Sequence, residues 1–163
     1  MPHHIKAFLG HRYNIIPLSE KWSKEYIQLP QGVCMLFLTD SLFDDITESA
    51  NAPNAQSEDG FQFLTQPIKL VLEEHSQNKG KLAYIETEYH GGTGSQSAVL
   101  FEDGKKTISK VTDDFSSEPK PTNLSEKAIN SVLSALGVQK SRDEFESINL
   151  DDYRSMPDED YEE

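Results

Sequence analysis

Lys81-Leu-Ala-Tyr-Ile-Glu-Thr-Glu-Tyr89 is rich in β-branched and aromatic residues, and Ser97-Ala-Val-Leu-Phe-Glu102 has the same character. Both segments are therefore predicted to be β-strands. Asp103 and Gly104 then give a tight-turn signal, and residues 105–111 are predicted to return as a third strand. The second half of the chain is thus predicted to contain an antiparallel meander.

Two helices flank this meander in the sequence. Thr65 is placed to begin the first helix, with Pro67 acceptable in its first turn. Residues 124–136 form the second, because their apolar positions recur at intervals of three and four and Gly137 follows as a helix terminator. Helices beside an antiparallel sheet predict an α+β fold with two principal helices.

The first half of the chain gives shorter signals. Residues 13–18 are predicted as its first strand, and residues 20–27 as a short helix capped by Ser19. His3 and His4 are assigned to a mobile terminus, and His11 precedes the first predicted strand. The continuous apolar run of residues 33–38 predicts a strand that is buried on both faces. A helical turn is predicted at residues 42–47, with Asp40 or Ser41 as its cap.

The length and the charge distribution define the domain organisation. With 163 residues and 18.4 kDa the chain is the size of one domain, which we place at residues 1–155. Residues 142–163 hold 10 acids and two bases, and residues 156–163 are predicted to be a disordered acidic tail because like charges repel and little can be buried.

The formal net charge of −13 restricts the classes of partner. It argues against sequence-independent binding to nucleic acid or to anionic lipid, and no apolar run approaches the length of a membrane span. The single cysteine excludes an intramolecular disulfide framework, and no secretory signal precedes the first predicted elements. We therefore expect a cytoplasmic protein.

One strand face concentrates groups that could perform chemistry. Tyr84, Glu86, Glu88 and His90 alternate along a predicted strand, so they project from one face, with the last three at intervals of about 7 Å. Two carboxylates and an imidazole could serve as acid and base, but a row on one strand does not converge on a metal without a second element. A solvated strand face explains the same residues, and neither catalytic nor metal-ligating residues are predicted.

A glycine-rich loop follows that strand face. Gly91, Gly92, Gly94 and Gln96 lie in the predicted connection between the two strands. A phosphate-binding loop requires a helix to begin directly after the glycines, whereas here a strand follows, so a wide turn or a bulge is the simpler explanation. The loop predicts no cofactor, although its backbone amides could contact a partner.

A second candidate contact surface lies near the carboxyl end. Acidic residues there alternate with Phe145, Ile148 and Leu150, which predicts a segment that docks on the domain or on a partner. The candidate contact residues of this segment are Asp143, Glu144, Asp151, Asp152 and Tyr153.

The residues Tyr84-Ile-Glu-Thr-Glu-Tyr-His-Gly-Gly-Thr-Gly-Ser-Gln-Ser-Ala-Val99 also carry a family resemblance. This stretch resembles part of a set of small, acidic bacterial proteins, some of which are immunity partners in toxin systems. The resemblance covers roughly the second half of the chain and rests on strand and turn residues. It implies a binding protein and assigns no catalytic role to any residue.

Two functional hypotheses follow. The first is a non-enzymatic protein that recognises a basic partner through an acidic surface, as an immunity protein or inhibitor does. The second is a small hydrolase or ligand-binding enzyme that uses Glu86, Glu88 and His90 beside the glycine loop. The sequence leaves the partner and the oligomeric state open.

Overall fold

The computed structural model describes residues 3–51, 56–78, 80–90, 93–113 and 128–138. Within these ranges the strands are β1 (His3–His11), β2 (Ile27–Gln28), β3 (Val33–Phe37), β4 (Lys81–His90), β5 (Thr93–Glu102) and β6 (Lys105–Asp113). The helices are α1 (Arg12–Trp22), α2 (Asp40–Ser49), α3 (Gln66–His75) and α4 (Ala128–Ala135), with a short 3₁₀ helix at Pro30–Gly32. The predicted α+β class is confirmed, with more helices than the two principal ones expected. The predicted tail, residues 156–163, lies outside the described residues.

The strands form one antiparallel sheet in the order β2-β3-β1-β4-β5-β6. The predicted meander is its β4-β5-β6 half. Pairing between β4 and β5 runs from Lys81 opposite Glu102 to His90 opposite Thr93. Strand β5 therefore begins at Thr93, earlier than the Ser97 start predicted from the apolar pattern.

Helices cover both faces of the sheet. We call the side covered by α1, α2 and α3 the three-helix face, and the opposite side the α4 face. Alternate strand residues pack into two separate hydrophobic clusters, one on each side of the sheet. Strand residues on the three-helix face include Phe8, Cys34, Leu36, Leu82, Tyr84, Val99 and Phe101. Those on the α4 face include Ile5, Ala7, Leu9, Val33, Met35, Ala83, Ile85, Ala98 and Leu100.

The first strand of the chain is the main element that the sequence prediction missed. His3 and His4, which the sequence assigned to a mobile terminus, begin β1, which lies between β3 and β4 in the middle of the sheet. Ile5, Ala7 and Leu9 face α4, whereas Phe8 faces the other helices. This is the alternation of a strand buried on both faces, and Lys6 interrupts its apolar run.

The predicted strand at residues 13–18 and the predicted helix at residues 20–27 are both wrong, because α1 occupies Arg12–Trp22. The buried residues Ile15 and Leu18 are three positions apart, which is helical spacing. Pro17 lies inside this helix, where proline lacks the N–H that a helical hydrogen bond requires. Packing of the apolar side of α1 on the sheet outweighs that local penalty.

The other predicted elements are confirmed with small shifts. Helix α2 is capped by Thr39, whose hydroxyl accepts from the Leu42 amide at 3.2 Å, and not by Asp40 or Ser41. Helix α3 follows Thr65 as expected. Helix α4 is described from Ala128, and Gly137 with φ of 90° follows it as the predicted terminator.

Candidate functional site

The described residues form a small cleft over β1, β4 and β5 on the three-helix face, beside the loop at residues 60–63. Its lining combines charged, hydroxyl and aromatic side chains with backbone: His4, Ile5, Lys6, Gly60, Gln62, Phe63, Glu86, Thr87, Glu88, Ser95 and Ser97. The cavity volume is about 40 Å³. Since ligand pockets for small molecules usually measure about 300–1,000 Å³, this cleft has room for water-sized groups only.

Glu86 is the central charged group of the cleft. Its Oε1 accepts from the Gln62 amide at 2.7 Å, and its Oε2 accepts from the Phe63 amide at 2.8 Å. The Tyr84 hydroxyl also donates to Oε2 at 2.7 Å. With three donors and an exposure of 9%, the carboxylate anchors the loop to β4. Glu86 is thus a buried structural group, and the alternative of a solvated strand face does not hold for it.

Tyr84 donates one of the three hydrogen bonds that the carboxylate of Glu86 accepts. Its side chain is fully buried, and burial raises the pKa of its hydroxyl well above 10, with the neighbouring charge of Glu86 adding to the shift. Tyr84 therefore stays protonated and remains a hydrogen-bond donor. The shared contact also confirms that Tyr84 and Glu86 project from the same face of β4.

Lys6 contributes a positive charge to the same region. Its ammonium lies 3.2 Å from a carboxylate oxygen of Asp40, at the start of α2, and 4.2 Å from the centre of the Phe63 ring. Lys6 is 7% exposed, so its charge is compensated by a carboxylate and by the ring face. The lysine thereby joins β1, α2 and the loop at residues 60–63.

The loop is held at further points besides Glu86. The Ser97 hydroxyl donates to the Gly60 carbonyl at 2.6 Å, and the Gln62 side chain donates to Glu88 at 3.0 Å. Glu58 contacts Lys106 at 3.0 Å and Lys69 at 3.4 Å. Burial alone would raise the pKa of Glu58, but these lysines and Ser109 lower it below its usual value. Glu58, Glu86 and Glu88 therefore connect residues 58–63 to the neighbouring strands and to α3.

The other predicted residues of this strand and loop are spread over different environments. Glu88 is half-buried and contacts Gln62, whereas Gly94 is a buried residue of β5 paired with Tyr89. The backbone of His90 pairs with Thr93, and its side chain lies outside the described part of the structure. Gly91 and Gly92 lie outside the described residues.

Gln96 lies away from the cleft, under α4. Its side-chain oxygen accepts from the Ile129 amide at 2.8 Å, in the first turn of α4, and Gln96 is 1% exposed. At the other end of this helix, Lys81 donates to the Ala135 carbonyl at 2.9 Å. Side chains from the sheet therefore satisfy backbone groups at both ends of α4.

The second set of candidate contact residues belongs to the segment near the carboxyl end. Asp143, Glu144, Asp151, Asp152 and Tyr153 all lie outside the described residues.

The structure reveals a further acidic surface that the sequence prediction missed. Helix α2 carries four acids and no base, and these acidic side chains, which we call the α2 acidic surface, are Asp40, Asp44, Asp45 and Glu48. All four are exposed. The pairs 40/44, 44/48 and 45/48 are three or four positions apart, and this is the sequence signal that could have identified a charged helix face.

The described residues contain no group of three or more histidine, cysteine, aspartate or glutamate side chains arranged to hold a metal ion. Cys34 is buried, and burial raises the pKa of its thiol, opposed by the nearby Arg12. A thiol with a raised pKa in an apolar environment is a poor nucleophile. None of the helices in the described part of the chain has the length and apolar character needed to cross a membrane.

Comparison of the chain with protein-family models, with curated proteins and with solved structures finds no match to any of them.

Proposed function

We propose that this protein is a non-enzymatic binding protein that recognises a basic macromolecule through the α2 acidic surface, in the manner of an inhibitor or an immunity protein. The observation that carries the proposal is the charge of α2, which has four exposed acids in ten residues and no basic residue. Lys6 of β1 pairs with Asp40, and the other three acids have no ion-pair partner among the described residues. A surface of this kind attracts a basic partner and speeds its association.

Asp40 lies in the first turn of α2, where the helix dipole and Lys6 favour a negative charge, but the arrangement of the acids otherwise opposes the stability of the helix. Asp40 and Asp44, and also Asp44 and Glu48, are like-charge pairs four positions apart, each of which costs about 0.3 kcal/mol in an exposed helix. Glu48 lies in the last turn, where the helix dipole disfavours a negative charge, and no basic residue accompanies it. Solubility alone does not require charges in these positions, so their placement supports a role in recognition.

The cleft gives less support to the alternative, a small hydrolase or ligand-binding enzyme. Its buried carboxylate, Glu86, is occupied by two backbone amides and a tyrosine hydroxyl. An acid–base residue must exchange protons with a substrate, whereas the carboxylate of Glu86 has three intramolecular donors in a cavity of about 40 Å³. A cytoplasmic location belongs to the same proposal, since the buried thiol of Cys34 suits a reducing compartment.

Charge-neutral variants test the role of α2. The variant D44N/D45N/E48Q removes three charges from the α2 acidic surface, and the matched control E20Q/E25Q/D59N removes three exposed charges from other parts of the chain. A fluorescent oligo-lysine peptide serves as a defined basic probe. We expect the α2 variant to weaken binding at least several-fold more than the control, and we expect the affinity of the native chain to fall steeply with added salt.

Amide chemical shifts recorded during the same titration locate the contact. Shifts concentrated in Asp40–Ser49 support the proposal. Equal loss of affinity in the two variants means that only total charge matters, and this result would overturn the assignment to α2. Binding that is insensitive to salt would contradict electrostatic recognition altogether.

A further inference from the structure

The cleft beside the loop at residues 60–63 brings together carboxylate and hydroxyl groups from two neighbouring strands. The register of β4 and β5 places Glu86 opposite Ser97 and Glu88 opposite Ser95, and all four residues line the cleft. Opposite residues of antiparallel strands have Cβ atoms about 5 Å apart. Two carboxylates and two hydroxyls therefore form one compact group of oxygen acceptors on the three-helix face.

The outer pair of this group keeps most of its capacity to accept hydrogen bonds. Glu86 is engaged by two backbone amides and a tyrosine hydroxyl, and Ser97 donates to the Gly60 carbonyl. Glu88 accepts from the Gln62 side chain at 3.0 Å through Oε1. Its Oε2 and the hydroxyl of Ser95 have no hydrogen-bond partner among the described residues, and both residues are half-buried. These two oxygens can therefore accept from an added donor.

The cleft also has an excess of negative charge. Glu86 and Glu88 both line it, whereas the charge of Lys6 is compensated by Asp40 at 3.2 Å. The hydrogen bonds that hold Glu86 in place come from neutral groups, so they leave its negative charge unchanged. Charges in a partly enclosed site are screened less by water than charges on an open surface. The cleft should therefore attract a small cation.

The size of the cleft and its acceptors favour one kind of cation. A cavity of about 40 Å³ holds roughly three water-sized groups. An alkylammonium group is compact and donates three hydrogen bonds to separate acceptors. A guanidinium group is planar and binds best to a carboxylate with two free oxygens, whereas one oxygen of Glu88 is already bonded to Gln62. An ammonium group therefore fits better than a guanidinium group.

We propose that this cleft binds the ammonium group of a lysine side chain, with Oε2 of Glu88 and Oγ of Ser95 as its acceptors. Glu86 contributes its charge without giving up its contacts with the loop. The lysine is supplied by the basic partner, and in this respect the assignment rests on the proposed function. The partner is thereby specified as a protein or peptide that presents a lysine beside the residues in contact with α2.

The position of the cleft allows one partner to reach both sites. Lys6, which lines the cleft, contacts Asp40 of the α2 acidic surface. Phe63 also lines the cleft, and the centre of its ring lies 5.4 Å from that of Phe43 in α2. The cleft and the α2 acidic surface are therefore adjacent parts of the same side of the molecule.

Small cations test the cleft without any peptide. The probe n-butylammonium reproduces a lysine side chain, and n-butylguanidinium is the matched probe with an arginine head group. Each is titrated at constant ionic strength into ¹⁵N-labelled protein while the amide chemical shifts are recorded. We expect n-butylammonium to shift the amides of Glu88 and Ser95 in a saturable manner, with an affinity several-fold higher than that of n-butylguanidinium.

Three variants separate a specific site from a general effect of charge. E88Q removes the acceptor carboxylate and should abolish the saturable shifts, whereas the control E20Q removes one exposed charge elsewhere and should leave them unchanged. S95V fills the cleft with methyl groups and keeps every charge, so it should also weaken binding several-fold. Equal affinities for the two cations, or shifts that are the same in E88Q and E20Q, would contradict the assignment of an ammonium site.

Peptides then distinguish failure of the cleft from failure of the proposed function. The fluorescent oligo-lysine peptide is compared with an oligo-arginine peptide of the same length. D44N/D45N/E48Q should weaken both peptides by a similar factor, whereas E88Q should weaken oligo-lysine several-fold more than oligo-arginine. If E88Q weakens both equally, the lysine site is wrong and the α2 acidic surface is unaffected. If n-butylammonium binds the cleft but D44N/D45N/E48Q leaves peptide affinity unchanged, the ammonium site stands and the proposed role of α2 fails.

Discussion

The carboxylate of Glu86 accepts a hydrogen bond at 2.8 Å from the backbone amide of Phe63, which lies 23 residues earlier in the chain. This contact makes Glu86 a determinant of loop structure. The hypothesis of a catalytic Glu86 predicts instead that its replacement by glutamine abolishes activity and leaves stability intact. The two roles are therefore distinguishable by a stability measurement.

The variant E86Q is expected to lower the free energy of unfolding by about 2 kcal/mol, because a glutamine NH₂ group cannot accept from a backbone amide and hydrogen bonds to charged groups are stronger than neutral ones. Urea denaturation measures this change. The control is E88Q, because the hydrogen-bond partner of Glu88 among the described residues is a side chain of the loop and Glu88 is half-buried. This substitution should cost less than about 0.5 kcal/mol. Equal stability of E86Q and the native chain would contradict the structural role.

The variant Q96A is expected to destabilise α4. Removal of the Gln96 oxygen leaves the buried Ile129 amide without this acceptor, which costs about 1–3 kcal/mol. Hydrogen exchange at the Ile129 amide should accelerate, and a lower thermal unfolding temperature should show the loss of overall stability. The control S134A changes an exposed position of the same helix and should have little effect. If the two variants unfold alike, the Gln96 contact does not contribute to stability.

Sequence periodicity predicted the half of the sheet whose strands follow one another along the chain. The strands of the β4-β5-β6 meander are joined by local turns. The turn between β5 and β6, which the sequence predicted, is formed by Asp103 with φ of 53° and Gly104 with φ of 79°. Strand β1 was missed because its partners, β3 and β4, are distant in sequence and Lys6 breaks its apolar run. Helix α1 was missed because a local rule about Pro17 was given more weight than the spacing of Ile15 and Leu18.

The candidate site was predicted in part for a similar reason. Strand phase correctly placed Tyr84 and Glu86 on one face, because that property depends only on alternation along β4. The partners of Glu86 are backbone amides of the loop at residues 60–63, and a backbone amide has no signature in the sequence. A buried carboxylate with backbone donors therefore looks the same in a sequence as a solvated one.

Glu58 is expected to make the stability of the protein depend on pH in the acid range. Burial opposes ionisation of Glu58, but Lys106, Ser109 and Lys69 outweigh it and lower the pKa below the ordinary value of 4.5. A carboxylate with a lowered folded-state pKa contributes its full stabilisation above 4.5 and loses it as the pH falls through the folded-state pKa. The free energy of unfolding should therefore decrease as the pH falls below 4.5.

The variant E58Q should show a smaller decrease over that acid range in urea titrations. The variant K106M removes the cation nearest to Glu58, so it should also weaken the pH dependence, and the double variant should resemble E58Q alone. Additive effects of the two substitutions would show that Glu58 and Lys106 act independently, contrary to the structure.

His75 is expected to give a second pH dependence, near neutrality. Burial is the largest influence on its imidazole and lowers its pKa below 6.5, while Glu74 acts in the opposite direction and Lys21 adds to the lowering. Below 6.5 the unfolded chain binds more protons at this position than the folded chain does, so protonation favours unfolding. The contribution of neutral His75 is therefore complete above 6.5 and is lost as the pH falls towards the folded-state pKa. The variant H75Q should remove this part of the pH dependence from urea titrations. The matched control is H11Q, at the partly exposed imidazole that immediately precedes α1. A slope between pH 5 and 7 that is the same in H75Q and in the native chain would show that another group produces it.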